Sequence, residues 1–202
     1  MGITKDDALK NRIAILNSAN ALFRERGPDA VGVTELMKRA GFTQGGFYNH
    51  FSSKDALVND VVALAMDAGL QDLQKQLGSD DDRSTVTGQV EFYLSPEHRD
   101  DIEHGCPISG LAHDVRRMGD EAQATFAKGL RSALEEVRKH LGDDADEGRA
   151  AAIYSQLVGG LILARATAAS DPELSKTLAR AARSSATAMV NANGRRRSAE
   201  SS

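Results

Sequence analysis

The chain has 202 residues, 41% hydrophobic and 27% charged, with 25 Lys and Arg against 29 Asp and Glu for a formal net charge of −4. That is apolar material for one large domain or two modest ones, and no run reaches the ~18 uninterrupted apolar residues of a membrane span. A single cysteine excludes an intramolecular disulfide framework, and the opening MGITKDDALKNR carries acids where a signal peptide needs an apolar run, so the expectation is a cytoplasmic protein without a membrane partner.

Charge is unevenly spread. Residues 1–55 hold 8 Lys/Arg against 6 Asp/Glu, and the remainder holds 17 against 23. An acidic remainder is repelled by a nucleic acid duplex, whereas the basic excess at the start is not.

Every periodic segment reads as helix and none as strand. In the first helix Leu9, Ile13, Leu16 and Phe23 fall at helical spacing and are expected to face the core, and Gly27-Pro28 ends it. A short helix follows over Val33–Ala40, with Gly41 placed as its C-cap. Thr43 is the expected N-cap of the next, very short helix, its hydroxyl satisfying an orphan N–H. Phe47 and Phe51, at i and i+4, anchor that helix to a core. Ser52-Ser53 stops it, and Lys54 opens a helix that runs to Leu77, about 36 Å at ~1.5 Å per residue.

After the break at Gly78-Ser79-Asp80-Asp81-Asp82 a helix is expected over Ser84–Leu94, then a polar loop from Ser95 to His104. The next helix, Cys106 to Met118, carries Ile108, Leu111, Ala112 and Val115 on one face. Another, Glu121–Leu141, carries Phe126, Leu130, Leu134 and Val137. Gly142-Asp143-Asp144 precedes the last pair. Gly148–Ala169 is apolar nearly all round, as a buried or interfacial helix is, and Gly159-Gly160 permits close approach of another helix. Asp171-Pro172 restarts the chain, and Leu174, Leu178, Ala181 and Ser185 form a stripe. The count is about nine helices.

The segment from Ala40 to Leu57, AGFTQGGFYNHFSSKDAL, is the most informative. A helix that enters the DNA major groove needs a slim N-terminus and groups that reach base edges. Gln44, Gly45, Gly46 and Asn49 are of that kind, and Tyr48, His50 and Lys54 suit phosphates. Taken by spacing alone, the same segment also fits an ordinary corner between two helices.

RIAILNSANALFRERG, VTELMKRAGF and TQGGFYNHFSSKDAL together resemble the N-terminal DNA-binding domain of the TetR/AcrR family of transcriptional regulators. The similarity covers about Arg12 to Leu57. It implies an all-α fold: a three-helix helix-turn-helix domain over residues 1–53 and a helical effector-binding and dimerisation domain over 54–193, with 194–202 a disordered basic tail. It implies a ligand-responsive repressor that binds a pseudo-palindromic DNA operator as a homodimer, without a cofactor. The implied DNA-binding residues are Thr34, Thr43, Gln44, Gly45, Gly46, Tyr48, Asn49, His50 and Lys54. Gly32 stands where the family pattern has Thr or Ser, so that phosphate-holding hydroxyl is missing.

The implied dimer interface lies on the last two helices, at Ile153, Leu157, Leu161, Leu174, Leu178 and Ala181. Candidates for an effector pocket are Phe92, Cys106, His113, Met118, Phe126, Tyr154 and Gln156, among which no sequence rule selects. Two readings of Cys106 stay open: a thiol activated at a helix N-terminus, or a small residue that only packs. No HExxH, paired CxxC, P-loop or GxSxG marks an enzyme, and the spacing of Glu97, His98, Asp101 and His104 fits no metal-ligand pattern.

Overall fold

The computed structural model describes residues 4–79, 85–142 and 145–192. Among them are nine α-helices, one 3₁₀ helix and no strand. The α-helices are α1 (Lys5–Arg26), α2 (Val33–Arg39), α3 (Lys54–Leu77), α4 (Val86–Tyr93), α5 (Pro96–Asp100), α6 (Pro107–Val115), α7 (Asp120–Leu141), α8 (Glu147–Thr167) and α9 (Pro172–Val190), with the 3₁₀ helix Gln44–Asn49 between α2 and α3. The expected start at Ser84, the Asp143-Asp144 break and the basic tail lie outside the described residues.

The chain divides into two compact units: residues up to Gly69 with Ile102–Leu130, and Leu70–Asp101 with Arg131 onward. The division therefore runs through α3 and α7 and does not follow the expected boundary at residue 53. It places α6 in the same unit as the helix-turn-helix segment, because α6 packs on α1.

In the first unit the core is built from Ile15, Leu16, Ala19, Leu22 and Phe23 of α1, Leu36 and Met37 of α2, and Leu57, Val61, Val62 and Ala65 of α3, all buried. Leu9 and Ile13 do not join it; they are 58% and 45% exposed. The buried residues of α1 start at Ile15, so Leu9 and Ile13 lie off the face that meets the core.

Polar contacts fix the segment before α6. The Arg24 guanidinium donates to the carbonyl oxygens of Gly105 and Glu103 and, through Nε, to Asn20 Oδ1 at 3.1 Å. Arg39 of α2 pairs with Glu103 at 3.1 Å and Glu25 at 3.5 Å. Close backbone approach needs glycine: a Cβ at Gly69 would lie 2.7 Å from Pro107 Cγ, and one at Gly129 would lie 2.6 Å from Met66 Cε.

The second unit is organised by α8 and α9, an antiparallel pair. A Cβ at Gly160 would overlap the Ala182 methyl, and buried Ser175 donates from Oγ to the Ala164 carbonyl at 2.7 Å. Val90, Leu94, Ile153, Leu157, Leu161, Ala182 and Ala186 form one buried cluster; Leu77, Val86, Val137 and Ala150 form another. By length and composition α8 is apolar enough to cross a membrane; Ile153, Leu157 and Leu161 on its inner side are buried, whereas Ile162 and Leu163 are exposed.

The expected loop from Ser95 to His104 contains α5. Ser95 caps it, its hydroxyl accepting from the His98 N–H at 3.2 Å, and Pro96 takes the first helical position. The far end of α5 is held by Arg165 of α8, which donates to the carbonyls of Arg99, His98 and Asp101 at 2.8, 2.9 and 3.2 Å.

His98 is buried between the Phe92 and Tyr93 rings, with Nδ1 2.7 Å from the Tyr93 carbonyl oxygen. Burial depresses its pKa below the ordinary histidine value, with the Arg165 charge adding to that; the Tyr93 carbonyl and Asp101 act the other way. Folding thus favours the neutral ring, and its contribution is complete above the unfolded pKa of about 6.5 and is lost as pH falls below it. The thermal midpoint is expected to fall between about pH 7.5 and 5.5, and His98→Phe is expected to flatten that fall, as read by circular dichroism melts across the range.

Candidate nucleic-acid interface

Helix α2 begins at Gly32, which supplies no side-chain cap, and ends in a Schellman motif. Gly41 takes φ +84°, its N–H bonds the Lys38 carbonyl at 3.1 Å, and the Phe42 N–H bonds the Met37 carbonyl at 2.8 Å. A non-glycine residue at Gly41 would be strained in that left-handed conformation. This closure turns the chain tightly into Thr43 and the next helix.

That helix is 3₁₀ rather than α. Two adjacent glycines and Asn49 lower helix propensity, and the helix spans only six residues. Thr43 is its N-cap in extended conformation, but the hydroxyl makes no cap hydrogen bond, contrary to expectation; the backbone N–H of Gly46 bonds the Thr43 carbonyl instead, at 3.0 Å. That i→i+3 bond occupies the Gly46 N–H, which a Thr43 side-chain cap would otherwise meet.

Phe47 is fully buried and Phe51 is 3% exposed, their ring centroids 5.5 Å apart, as the i, i+4 spacing required. Tyr48 sets its ring edgewise against Phe47 at 5.3 Å and is 72% exposed. Thr34, Thr43, Gln44, Gly45 and Asn49 are exposed as well, while Gly46, His50 and Lys54 are half-buried. A Cβ at Gly46 would meet Met37 Cε at 3.7 Å, ordinary contact, so that glycine lies on the α2 side. Ser53 caps α3 by accepting from the Ala56 N–H at 3.0 Å, and this sets Lys54 in the first turn. Eight of the nine expected DNA-binding residues thus flank one buried phenylalanine pair between Thr43 and Lys54, and Thr34 stands apart on the first turn of α2.

A residue that sequence reasoning passed over also serves this corner. Arg12 of α1 donates through one Nη to the His50 carbonyl and through the other to Asp60 of α3, and its Cζ lies 4.3 Å from the Phe51 ring centroid. Its partners stand 38 and 48 residues away, so no local pattern signals it.

The other expected sites fare differently. Cys106 is half-buried as the N-cap of α6, its carbonyl accepting from Ser109 Oγ at 2.9 Å. His113 is exposed and so does not line an enclosed cavity; α6 turns Ile108, Leu111 and Val115 inward instead. Cys106, His113, Met118 and Phe126 belong to the first unit, and Phe92, Tyr154 and Gln156 to the second. The second unit carries an open cleft of about 450 Å³ lined by Arg131, Leu134, Glu135, Arg138, Ala145, Asp146 and Glu147, none of them an expected effector residue.

Of the expected dimer residues, Ile153, Leu157 and Leu161 are buried in the chain's own core, which corrects their assignment to a surface. They face α9 and α4 because an all-apolar helix hides which side meets its own chain. Leu174 and Ala181 are exposed and Leu178 is half-buried. Ile162 and Leu163, not singled out before as interface residues, are 40% and 53% exposed.

The division between buried anchor and exposed reader yields a direct measurement. Phe47→Ala is expected to cost about 3–5 kcal/mol of stability, whereas Tyr48→Ala is expected to stay within about 0.5 kcal/mol of the parent. Denaturant unfolding of the two variants checks both.

Residues 15–61 match the family model described as bacterial regulatory proteins, tetR family. The chain is 35% identical over 102 residues to the HTH-type transcriptional regulator YvdT of Bacillus subtilis, an alignment covering 50% of this chain and about half (52%) of that relative. It is 27% identical over 175 residues to the HTH-type transcriptional regulator AcrR of Shigella flexneri, covering 79% of this chain and 80% of AcrR. Among solved structures the reduced form of NemR from Escherichia coli superposes with a TM-score of 0.72 at 20% identity, over 89% of this chain and 97% of that one, a likeness of fold. The family signature lies on the α1 to α3 segment whose geometry is described above, and the wider similarity follows the same helical order: the chain belongs to the TetR/AcrR family of transcriptional regulators.

Proposed function

We propose that this protein is a homodimeric DNA-binding transcriptional repressor, released from its operator by a small-molecule effector, and not an enzyme. The observation that carries the reading is the corner itself: Thr34, Thr43, Gln44, Gly45, Tyr48 and Asn49 stand exposed around buried Phe47 and Phe51. Two such corners, one per subunit, enter successive major grooves of a pseudo-palindromic operator. Gln44 and Asn49 reach base edges, with Thr34 beside them, and the glycines let the backbone come close. Tyr48, His50 and Lys54 hold phosphates, joined by the Thr43 hydroxyl, which makes no cap bond. An effector that binds one conformation better than the other shifts the population away from the DNA-binding state.

Dimerisation falls to the outward side of the α8–α9 pair. Gly159, with nothing within 4 Å of a built Cβ, lies on the same side of α8 as exposed Ile162 and Leu163, at i+3 and i+4, and α9 adds Leu174, Leu178 and Ala181. Small and apolar residues on a regular helix pair suit a second copy of the same pair, related by a two-fold axis.

Mobility shifts over a salt series test the DNA contacts. Lys54→Ala is expected to weaken binding to specific and random duplexes alike and to flatten the salt slope by about one unit, since one phosphate contact is lost. Gln44→Ala is expected to leave the slope and relax sequence preference by about 1–3 kcal/mol. An unchanged slope for Lys54→Ala removes its phosphate role.

The interface is tested at the surface. Leu163→Glu with Leu174→Glu is expected to give a folded monomer by sedimentation and circular dichroism, with operator binding lost because one head spans only a half-site. Tight binding of the full operator by that monomer would contradict the dimeric reading.

A further inference from the structure

The reading helix has almost nothing of its own to hold it. It is six residues long, and it closes on the Phe47 carbonyl, which accepts from the His50 and Phe51 N–H groups. His50 is its C-cap, and the carbonyl of His50 is taken by Arg12. The same guanidinium donates to Asp60 on α3 and stacks on the Phe51 ring at 4.3 Å. Three elements therefore meet at one planar group: α1 through Arg12 itself, the end of the reading helix through His50 and Phe51, and α3 through Asp60.

We propose that Arg12 is the positioning residue of the reading helix, fixing its angle to α1 and α3 so that Gln44 and Asn49 reach base edges in register. The proposal rests on the DNA-binding reading above and names the group that makes the reading specific. Two features support it. The Arg12 and Asp60 side chains are 34% and 40% exposed, and a partly solvated pair of that kind adds little to stability, so its effect lies in orientation. Only a guanidinium offers two donors in one rigid plane that also lies flat on a ring; a lysine ammonium satisfies one partner at a time. Arg12 also neutralises the Asp60 carboxylate close to the proposed phosphate contacts.

The test uses the full chain, a duplex that the wild type selects from a randomised pool, and a scrambled duplex of the same length. Two variants are compared with wild type: Arg12→Lys, which keeps the charge, and Arg12→Gln combined with Asp60→Asn, which removes the ion pair at constant net charge. Both are expected to fold by circular dichroism and to bind the scrambled duplex within about two-fold of wild type with the same salt slope. Their preference for the selected duplex over the scrambled one is expected to fall roughly tenfold or more, the size of one lost base contact. Preference retained in both variants overturns the positioning role. So does a fall in scrambled-duplex affinity and salt slope with the preference ratio intact, which would make Arg12 itself a phosphate contact. Loss of fold in both makes Arg12 a strut and overturns the proposal too. If the wild type selects no sequence, the DNA-binding reading fails first and the positioning role goes with it.

Discussion

The burial of Phe47 and Phe51 beside α2 and α3 is the interaction on which the interface depends. A six-residue 3₁₀ helix with two consecutive glycines has no stability of its own in water, because nucleation costs more than so few bonds return. Burying two phenylalanines offsets that cost, each contributing a few kcal/mol or about 1.5–3 from transfer alone. With the same two rings turned inward, Tyr48 and Asn49 between them face solvent, while His50 is half-buried. Exposure of Gln44, Tyr48 and Asn49 is thus a consequence of where the anchors sit.

Everything around that pair is arranged to constrain it. The Schellman closure at Gly41 directs the chain out of α2, the Ser53 cap starts α3 one turn after Phe51, and Arg12 closes the remaining side. Because α6 packs on α1 within the same unit, the loop that leads to Cys106 is held by Arg24 and Arg39, two residues of the first two helices.

In the second unit close packing is achieved with small residues. Gly160 against Ala182, and Ser175 bonded to the Ala164 carbonyl, bring α8 and α9 together without large side chains between them. Larger residues are then left at the outer surface, where Ile162, Leu163 and Leu174 remain exposed. In the proposed dimer these residues meet the same helix pair of a second copy.

Local chemistry made much of this legible in advance. Helix limits followed from Gly27-Pro28, Gly41, Asp171-Pro172 and the apolar periodicity, since caps and breakers act within a few residues of their own position. The Lys54–Leu77 helix matches its expected limits, and the candidates from Thr43 to Lys54 fall on one corner because they are nearly contiguous in sequence. Five-residue α5 was missed because a single turn is too short for periodicity, although Ser95-Pro96 carried its start signal. What only the tertiary structure decided is what depends on direction and distance. Leu9 and Ile13 have the spacing of core residues but lie beyond the core; Ile153, Leu157 and Leu161 face their own chain, which an all-apolar helix cannot reveal; and Arg12 finds His50 and Asp60 across gaps of 38 and 48 residues. Periodicity names a helix and its apolar residues, whereas the partner of each face is set by the packing of elements far apart in the chain.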